Sequence, residues 1–184
     1  MGILALISLA GPLASWRKVK SQNREEIKES EVEESRSPIP NHLKDIDPDA
    51  VDWSKKDDAY WQSVLTPEQF RVCRGAGTER PFSGKYCMFK ESGEFICACC
   101  GRILFKSDAK FDSGTGWPSF TSAVDGGALQ LREDRSHGMV RTEVLCARCG
   151  AHLGHVFDDG PPPSGMRFCI NSVCLQHMPE RSSP

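Results

Sequence analysis

The sequence predicts a mainly β domain, mostly antiparallel, with short N-terminal helices and a structural metal site. Three observations carry this reading. After Gly75, short apolar segments such as GEFICACCG, FDSGTGWPSF and DGGALQL alternate with clusters of Gly, Asp, Ser and Pro, the texture of short strands joined by turns. Before it, Trp53, Trp61, Val64 and Leu65 fall at helical spacing, and Thr66-Pro67-Glu68 sets an N-cap ahead of a proline in the first helical turn. Nine cysteines are present, and four of them form two C-x-x-C units.

Taken in chain order, residues 2–15 are apolar and uncharged. Arg17, Lys18, Lys20 and Arg24 follow, and no acid precedes Glu25. Residues 1–24 therefore read as a targeting leader, either the apolar core of a secretory signal or a transit peptide. The expected location is an organelle, mitochondrial or ER/secretory; an unprocessed anchor is the other reading. Residues 25–50 are dense in Glu and then carry Pro38, Pro40 and Pro48. Such a stretch buries too little apolar surface to offset its ordering entropy, and it reads as a disordered linker. The folded domain is expected over 51–178, with 179–184 as a tail. Its positive and negative side chains balance, and the whole chain carries a net charge of -2. That excludes a strongly basic nucleic-acid binder. No apolar run reaches the ~18–20 residues that a membrane-spanning helix needs.

An odd number of cysteines argues against a fully paired disulfide framework. Cys97-Ala98-Cys99-Cys100-Gly101 and Cys146-Ala147-Arg148-Cys149-Gly150 are knuckles of one kind. Two intervening residues let a turn aim both sulfurs at one ion, and the glycine lets the backbone turn beneath them. Cys97, Cys100, Cys146 and Cys149 thus complete a tetrahedral shell for one structural zinc, while Cys99 points elsewhere. The long stretch between the knuckles means that the metal staples two distant hairpins, with the chemistry elsewhere. Separate disulfides or free core thiols are the alternative.

Met166 to Val173 reads as a strand. Alternation puts Met166, Phe168 and Ile170 on a core face and Arg167, Cys169 and Asn171 on the other. A guanidinium beside a thiol favours the nucleophilic thiolate; the plainer reading is a half-buried Cys between solvated neighbours. His152 and His155 follow the second knuckle, and an imidazole can hand a proton to a developing oxyanion. Trp117, in the Gly-rich turn Gly114 to Pro118, lies either in a pocket or in the core.

These segments together resemble the methionine-R-sulfoxide reductase B family from Leu65 to Leu175. The resemblance is carried by GTERPFSGKY, CACCGRILF, KFDSGTGWPSF, RTEVLCARCGAHLGHVFDDGP and RFCINS, in that order. It implies two antiparallel sheets, zinc on the four knuckle cysteines and reduction of the R epimer of methionine sulfoxide in proteins. It implies Cys169 as nucleophile, with His152, His155, Arg167 and Asn171 lining the site and assisting proton transfer. Trp117 would receive the substrate methyl group, with Phe157 as a second substrate contact. The implied product on Cys169 is a sulfenic acid that a second thiol must reduce.

One departure matters. Many family members have a resolving Cys just before the Gly-Trp-Pro, where this chain has Thr115. Cys73, in what reads as a flexible RVCRGAG loop, is the internal candidate, ahead of Cys87 and Cys99. Cys174, read as lying farther along the nucleophile strand on its opposite face, is set aside. Otherwise thioredoxin or a small thiol acts directly. A non-catalytic zinc-ribbon module is the alternative from another class, but it would want a basic stripe and a shorter inter-knuckle loop. A zinc hydrolase would need an open coordination position.

Overall fold

The computed structural model describes residues 39–180. The leader over 1–24, most of the acidic stretch and the last four residues lie outside the described residues. Among the described residues, no helix is long and apolar enough to cross a membrane.

Among the described residues, two short α-helices precede the sheets. Helix α1 (Asp58–Val64) is capped by Asp57, whose side chain accepts from the Tyr60 N–H. Helix α2 (Pro67–Cys73) begins as expected with Pro67, and Thr66 and Gln69 close a reciprocal capping box. Nine strands follow: β1 (Gly93–Cys97), β2 (Ile103–Lys106), β3 (Lys110–Phe111), β4 (Ser119–Phe120), β5 (Leu129–Asp134), β6 (Arg141–Cys146), β7 (His152–Phe157), β8 (Arg167–Ile170) and β9 (Leu175–Pro179). They form a three-stranded sheet, β2-β1-β9, and a six-stranded sheet, β3-β4-β8-β7-β6-β5. Every pairing is antiparallel.

Aromatic packing joins the sheets. Phe95 and Phe105 from the small sheet meet Phe120 from the large one, and all three are fully buried. The Phe105 and Phe120 rings stack at 4.2 Å, and Phe95 meets Phe120 at 5.2 Å. Such pairs contribute about 0.5–1.5 kcal/mol each beyond the area they bury. Trp61 seats the helices against the domain. Its ring stacks on Trp53 at 5.9 Å and lies under Arg74, whose guanidinium donates to the Cys149 carbonyl.

Four expectations need correction. The nucleophile strand, expected over Met166 to Val173, runs only over Arg167–Ile170, because Asn171 already opens the 3-10 turn that follows. Residues 39–50, expected within the linker, fold on the domain. Leu43 is buried in the core, His42 bonds the Cys99 carbonyl at 2.9 Å, Trp53 donates to the Pro48 carbonyl and Asp49 pairs with Arg148. A few apolar anchors suffice to dock a stretch whose average composition is that of a tether. Cys73 is not in a flexible loop; it ends α2 and is buried. Cys174 is not on the nucleophile strand either, because β8 stops at Ile170 and Cys174 closes a 3-10 turn, Ser172–Cys174.

Candidate functional site

The knuckles are the ends of two hairpins, one in each sheet. Cys97 ends β1 and Cys100 lies in the turn to β2; Cys146 ends β6 and Cys149 lies in the turn to β7. Both turns close alike, with the Gly101 N–H on the Cys97 carbonyl and the Gly150 N–H on the Cys146 carbonyl, each at 2.9 Å. Both glycines have positive φ, 71° and 68°, a conformation that side chains resist. The four sulfurs are buried and lie within 4.8 Å of one another. Opposed pairs stand at 3.8 Å (Cys97 and Cys149) and 3.5 Å (Cys100 and Cys146). A tetrahedron with metal–sulfur bonds of ~2.3 Å has edges near ~3.8 Å, so these residues fit one metal ion.

The second site lies on β8, which runs inside the large sheet between β4 and β7. Cys169 stands opposite His155 on one side and Ser119 on the other. Strand β7 approaches closely because residue 154 is glycine; a Cβ there would come within 2.0 Å of the Cys169 carbonyl oxygen. A cleft of about 360 Å³ opens over this point, lined by Thr78, Trp117, Arg141, His152, His155, Phe157, Cys169 and Asn171 among others. All nine cysteines are described, and Cys169 alone is not buried.

His152 and His155 are three residues apart and would face opposite sides of a regular strand. A bulge resolves this. Leu145 pairs with His152 and Val144 with Gly154, which leaves Leu153 as the extra residue. Both imidazoles therefore line the cleft, 5.6 Å apart. Each is held by an acid that the sequence reading did not single out. His152 Nδ1 bonds Glu143 at 2.7 Å, and Glu143 accepts in turn from Arg132. His155 Nε2 bonds Asp134 at 2.8 Å, and Asp134 also accepts from Arg141. Burial lowers the His152 pKa against the pull of Glu143. Burial would raise Glu143, but His152 and Arg132 outweigh it and the carboxylate stays below its ordinary range. Hydrogen bonds from Ser136, then His155 and Arg141, hold Asp134 well below the usual carboxylate range.

Arg167 is fixed by two parallel bonds to Asp159, each 2.8 Å, and stacks over Phe157 at 4.5 Å. Its charge favours the Cys169 thiolate, as expected, but does not outweigh burial. Burial raises the Cys169 thiol above its ordinary range, against the Arg167 charge and side-chain hydrogen bonds from Thr115 and Arg167. Desolvating a thiolate outweighs one guanidinium already engaged by a carboxylate. Thr115 is itself part of a hydroxyl chain, bonding Ser113 at 2.8 Å, which bonds Ser119 at 2.7 Å.

Asn171 lines the cleft with its amide engaged at both ends. Its Oδ1 accepts from the Thr78 hydroxyl and the Glu79 N–H, and its Nδ2 donates to the Leu153 carbonyl. Glu79, absent from the sequence-based candidates, is almost wholly buried. Its carboxylate accepts the N–H groups of Ser172 and Val173, just past β8, and its carbonyl accepts the Trp117 indole N–H at 3.3 Å. Burial raises the Glu79 pKa against those two N–H bonds. Its one sequence signal was its place in GTERPF. Trp117 is half-buried and lines the cleft, so the pocket position is the one observed. Cys73, Cys87 and Cys99 are all buried. Cys73 Sγ stands 3.0 Å from Cys174 Sγ, and the Cys87 carbonyl accepts from Lys110.

Comparison with known proteins agrees with this geometry. Residues 65–179 match the SelR domain family. The chain is 58% identical over 125 residues to a Saccharophagus degradans protein named peptide methionine sulfoxide reductase MsrB, covering 68% of this chain and 93% of that one. Proteins of the same name match from Pseudomonas fluorescens, at 61% over 119 residues (65% of this chain and 92% of that one), and Thiobacillus denitrificans, at 58% over 125 residues (68% and 95%). With a shared domain across the folded unit and this identity over nearly the full length of those relatives, the chain belongs to the MsrB family of peptide methionine sulfoxide reductases.

Proposed function

We propose that this chain is an oxidoreductase that returns the R epimer of methionine sulfoxide in proteins to methionine, with Cys169 as nucleophile. The observation that carries the reading is that the one thiol not fully buried lies in a cleft with an indole and two acid-held imidazoles.

The chemistry needs a sulfur nucleophile and a proton for the departing oxygen. Cys169 rests as a thiol because burial disfavours its anion. His152 is largely neutral because burial disfavours its cation. With Glu143 ionised, the His152 Nδ1–H donates to it, leaving Nε2 to take the Cys169 proton and pass it to the sulfoxide oxygen. The sulfur of Cys169 attacks the sulfoxide sulfur, the sulfur–oxygen bond breaks, and oxygen ends on Cys169 as a sulfenic acid. Cys169 loses two electrons and the methionine sulfur gains them. Trp117 and Phe157 form the apolar side that takes the methyl group, while the imidazoles take the oxygen, which fixes one epimer. Thr115 and Arg167 steady negative charge on Cys169 as it attacks. Asn171 and Glu79 hold the walls of the cleft.

Two equivalents of thiol then restore Cys169, releasing water and leaving a disulfide on the reductant. Cys73 is already buried against Cys174, which favours thioredoxin or a small thiol acting directly on the sulfenic acid over an internal Cys73 bridge. Zinc on Cys97, Cys100, Cys146 and Cys149 would supply a clamp between the two hairpins and take no part in the reaction.

The test uses the full chain with dithiothreitol and two peptides, one bearing each sulfoxide epimer. Turnover of the R peptide alone is the expected result, with one oxygen on Cys169 by mass spectrometry when no thiol is supplied. Turnover of neither peptide, or of both equally, would overturn it.

A further inference from the structure

Outside the cleft and the metal shell, the structure assembles another sulfur site. Cys73 closes α2 and Cys174 closes the 3-10 turn after β8, 101 residues away. Both are buried, at 2% and 0% exposure. Their sulfurs stand 3.0 Å apart, closer than either opposed pair of the metal shell, at 3.5 and 3.8 Å. A disulfide bond is ~2.0 Å long, so about 1 Å of movement separates the pair from a bond. A metal does not account for the closeness. Among the described residues, the four knuckle cysteines are the one group of three or more such ligands gathered round a point.

The pair is also wired to the cleft. Cys73 donates its S–H to Cys174, which donates its own to the His152 carbonyl at 3.3 Å. The Cys174 carbonyl accepts from Ala98, between the first two knuckle cysteines. The Cys73–Cys174 contact thus ties α2 to the turn beyond the nucleophile strand and to the backbone of a cleft histidine.

We propose that Cys73 and Cys174 are an oxidation site that forms a reversible disulfide under a small peroxide, separate from Cys169 and from the metal shell. One thiol attacks the peroxide oxygen; the oxygen–oxygen bond breaks, water leaves and a sulfenic acid forms. The second thiol attacks that sulfur, a second water leaves, and the sulfur–sulfur bond forms. Two electrons pass from the two thiols to one hydrogen peroxide, which becomes two waters. The product crosslinks α2 to the turn after β8 and removes the S–H that Cys174 gives His152. Their hydrogen bond and their burial hold Cys73 well above the usual thiol range, and burial raises Cys174, so the reaction is slower than that of an exposed thiolate. The inference does not rest on the sulfoxide reading.

The experiment uses the full chain, zinc-loaded, with Cys169→Ser so that the cleft thiol is absent. It is exposed to excess hydrogen peroxide, unfolded in N-ethylmaleimide and digested without reductant. The expected result is a peptide pair joined through Cys73 and Cys174, two fewer labelled thiols, unchanged zinc content and a melting temperature raised by a few degrees. Dithiothreitol reverses all but the zinc reading. Adding Cys73→Ser should abolish the joined peptides and leave Cys174 without a disulfide. Full labelling of both residues after peroxide overturns the proposal. So does a crosslink of either residue to Cys99 or a knuckle cysteine, or crosslinking that appears only as zinc is lost.

Discussion

The turn leading into β7 and the middle of β7 treat sulfur in opposite ways. At the turn, Cys149 joins three other thiols, all buried, at the meeting of two hairpins. A few residues on, His155 pairs with Cys169, the one cysteine left partly open. Reactivity follows access and charge, which is why the proposed function puts the chemistry on the single open sulfur and leaves the crowded cluster to hold a metal. Strand β7 borders both because the turn before it is closed by the knuckle while its bulge turns two imidazoles into the cleft.

The sharpest way to break this comparison is to remove each sulfur in turn. Cys169→Ser should lower R-sulfoxide turnover by more than about a thousandfold, as expected when a nucleophile is lost, with an unchanged far-UV circular dichroism spectrum. Cys146→Ser should act the other way, unfolding the domain before it alters the chemistry. Structural zinc contributes on the order of 10 kcal/mol to the folding of zinc-finger peptides, so if the four cysteines hold zinc as proposed, chelation should give the same loss of ellipticity. If Cys146→Ser stays folded and loses only activity, the division of labour is wrong.

A smaller effect probes the wiring. His152→Gln should reduce turnover about a hundredfold, the usual scale for a lost proton carrier. The same side chain shapes acid stability. Its folded pKa is lowered, chiefly by burial. The unfolded chain therefore binds the extra proton first, and stability falls as pH drops below about 6.5 toward the folded value. In His152→Gln that part of the acid slope should flatten, as read by denaturant midpoints across pH.

The mildest change is Thr115→Val. It removes a hydrogen bond that opposes burial at Cys169, so the pH midpoint for alkylation of Cys169 should move up. Turnover near neutrality should fall several-fold. A midpoint that stays put would mean that Arg167 alone answers for the thiolate.

Much of this was legible in the chain because it is local. The knuckle glycines, the Thr66 and Pro67 helix start, and the strand that carries Arg167 and Cys169 follow from residues a few positions apart; Asn171, expected on that strand, lies just past its end. What escaped depends on register across strands. No short window of sequence reveals that Leu153 is the extra residue of a bulge, so the acid behind each histidine stayed hidden. Glu79 was missed because its partners, the N–H groups of Ser172 and Val173, lie more than ninety residues away. Residues 39–50 were misjudged because composition averages over Leu43 and His42, the residues that dock. The thiolate was overestimated because sequence shows a neighbouring cation but not the depth of the thiol.

Cys169 sits on an interior strand, gripped on both edges by β4 and β7. A sulfur so anchored cannot swing outward with its strand. On the proposed function, both the methionine side chain and the regenerating thiol have to come to Cys169 through the one cleft of about 360 Å³ that exposes it.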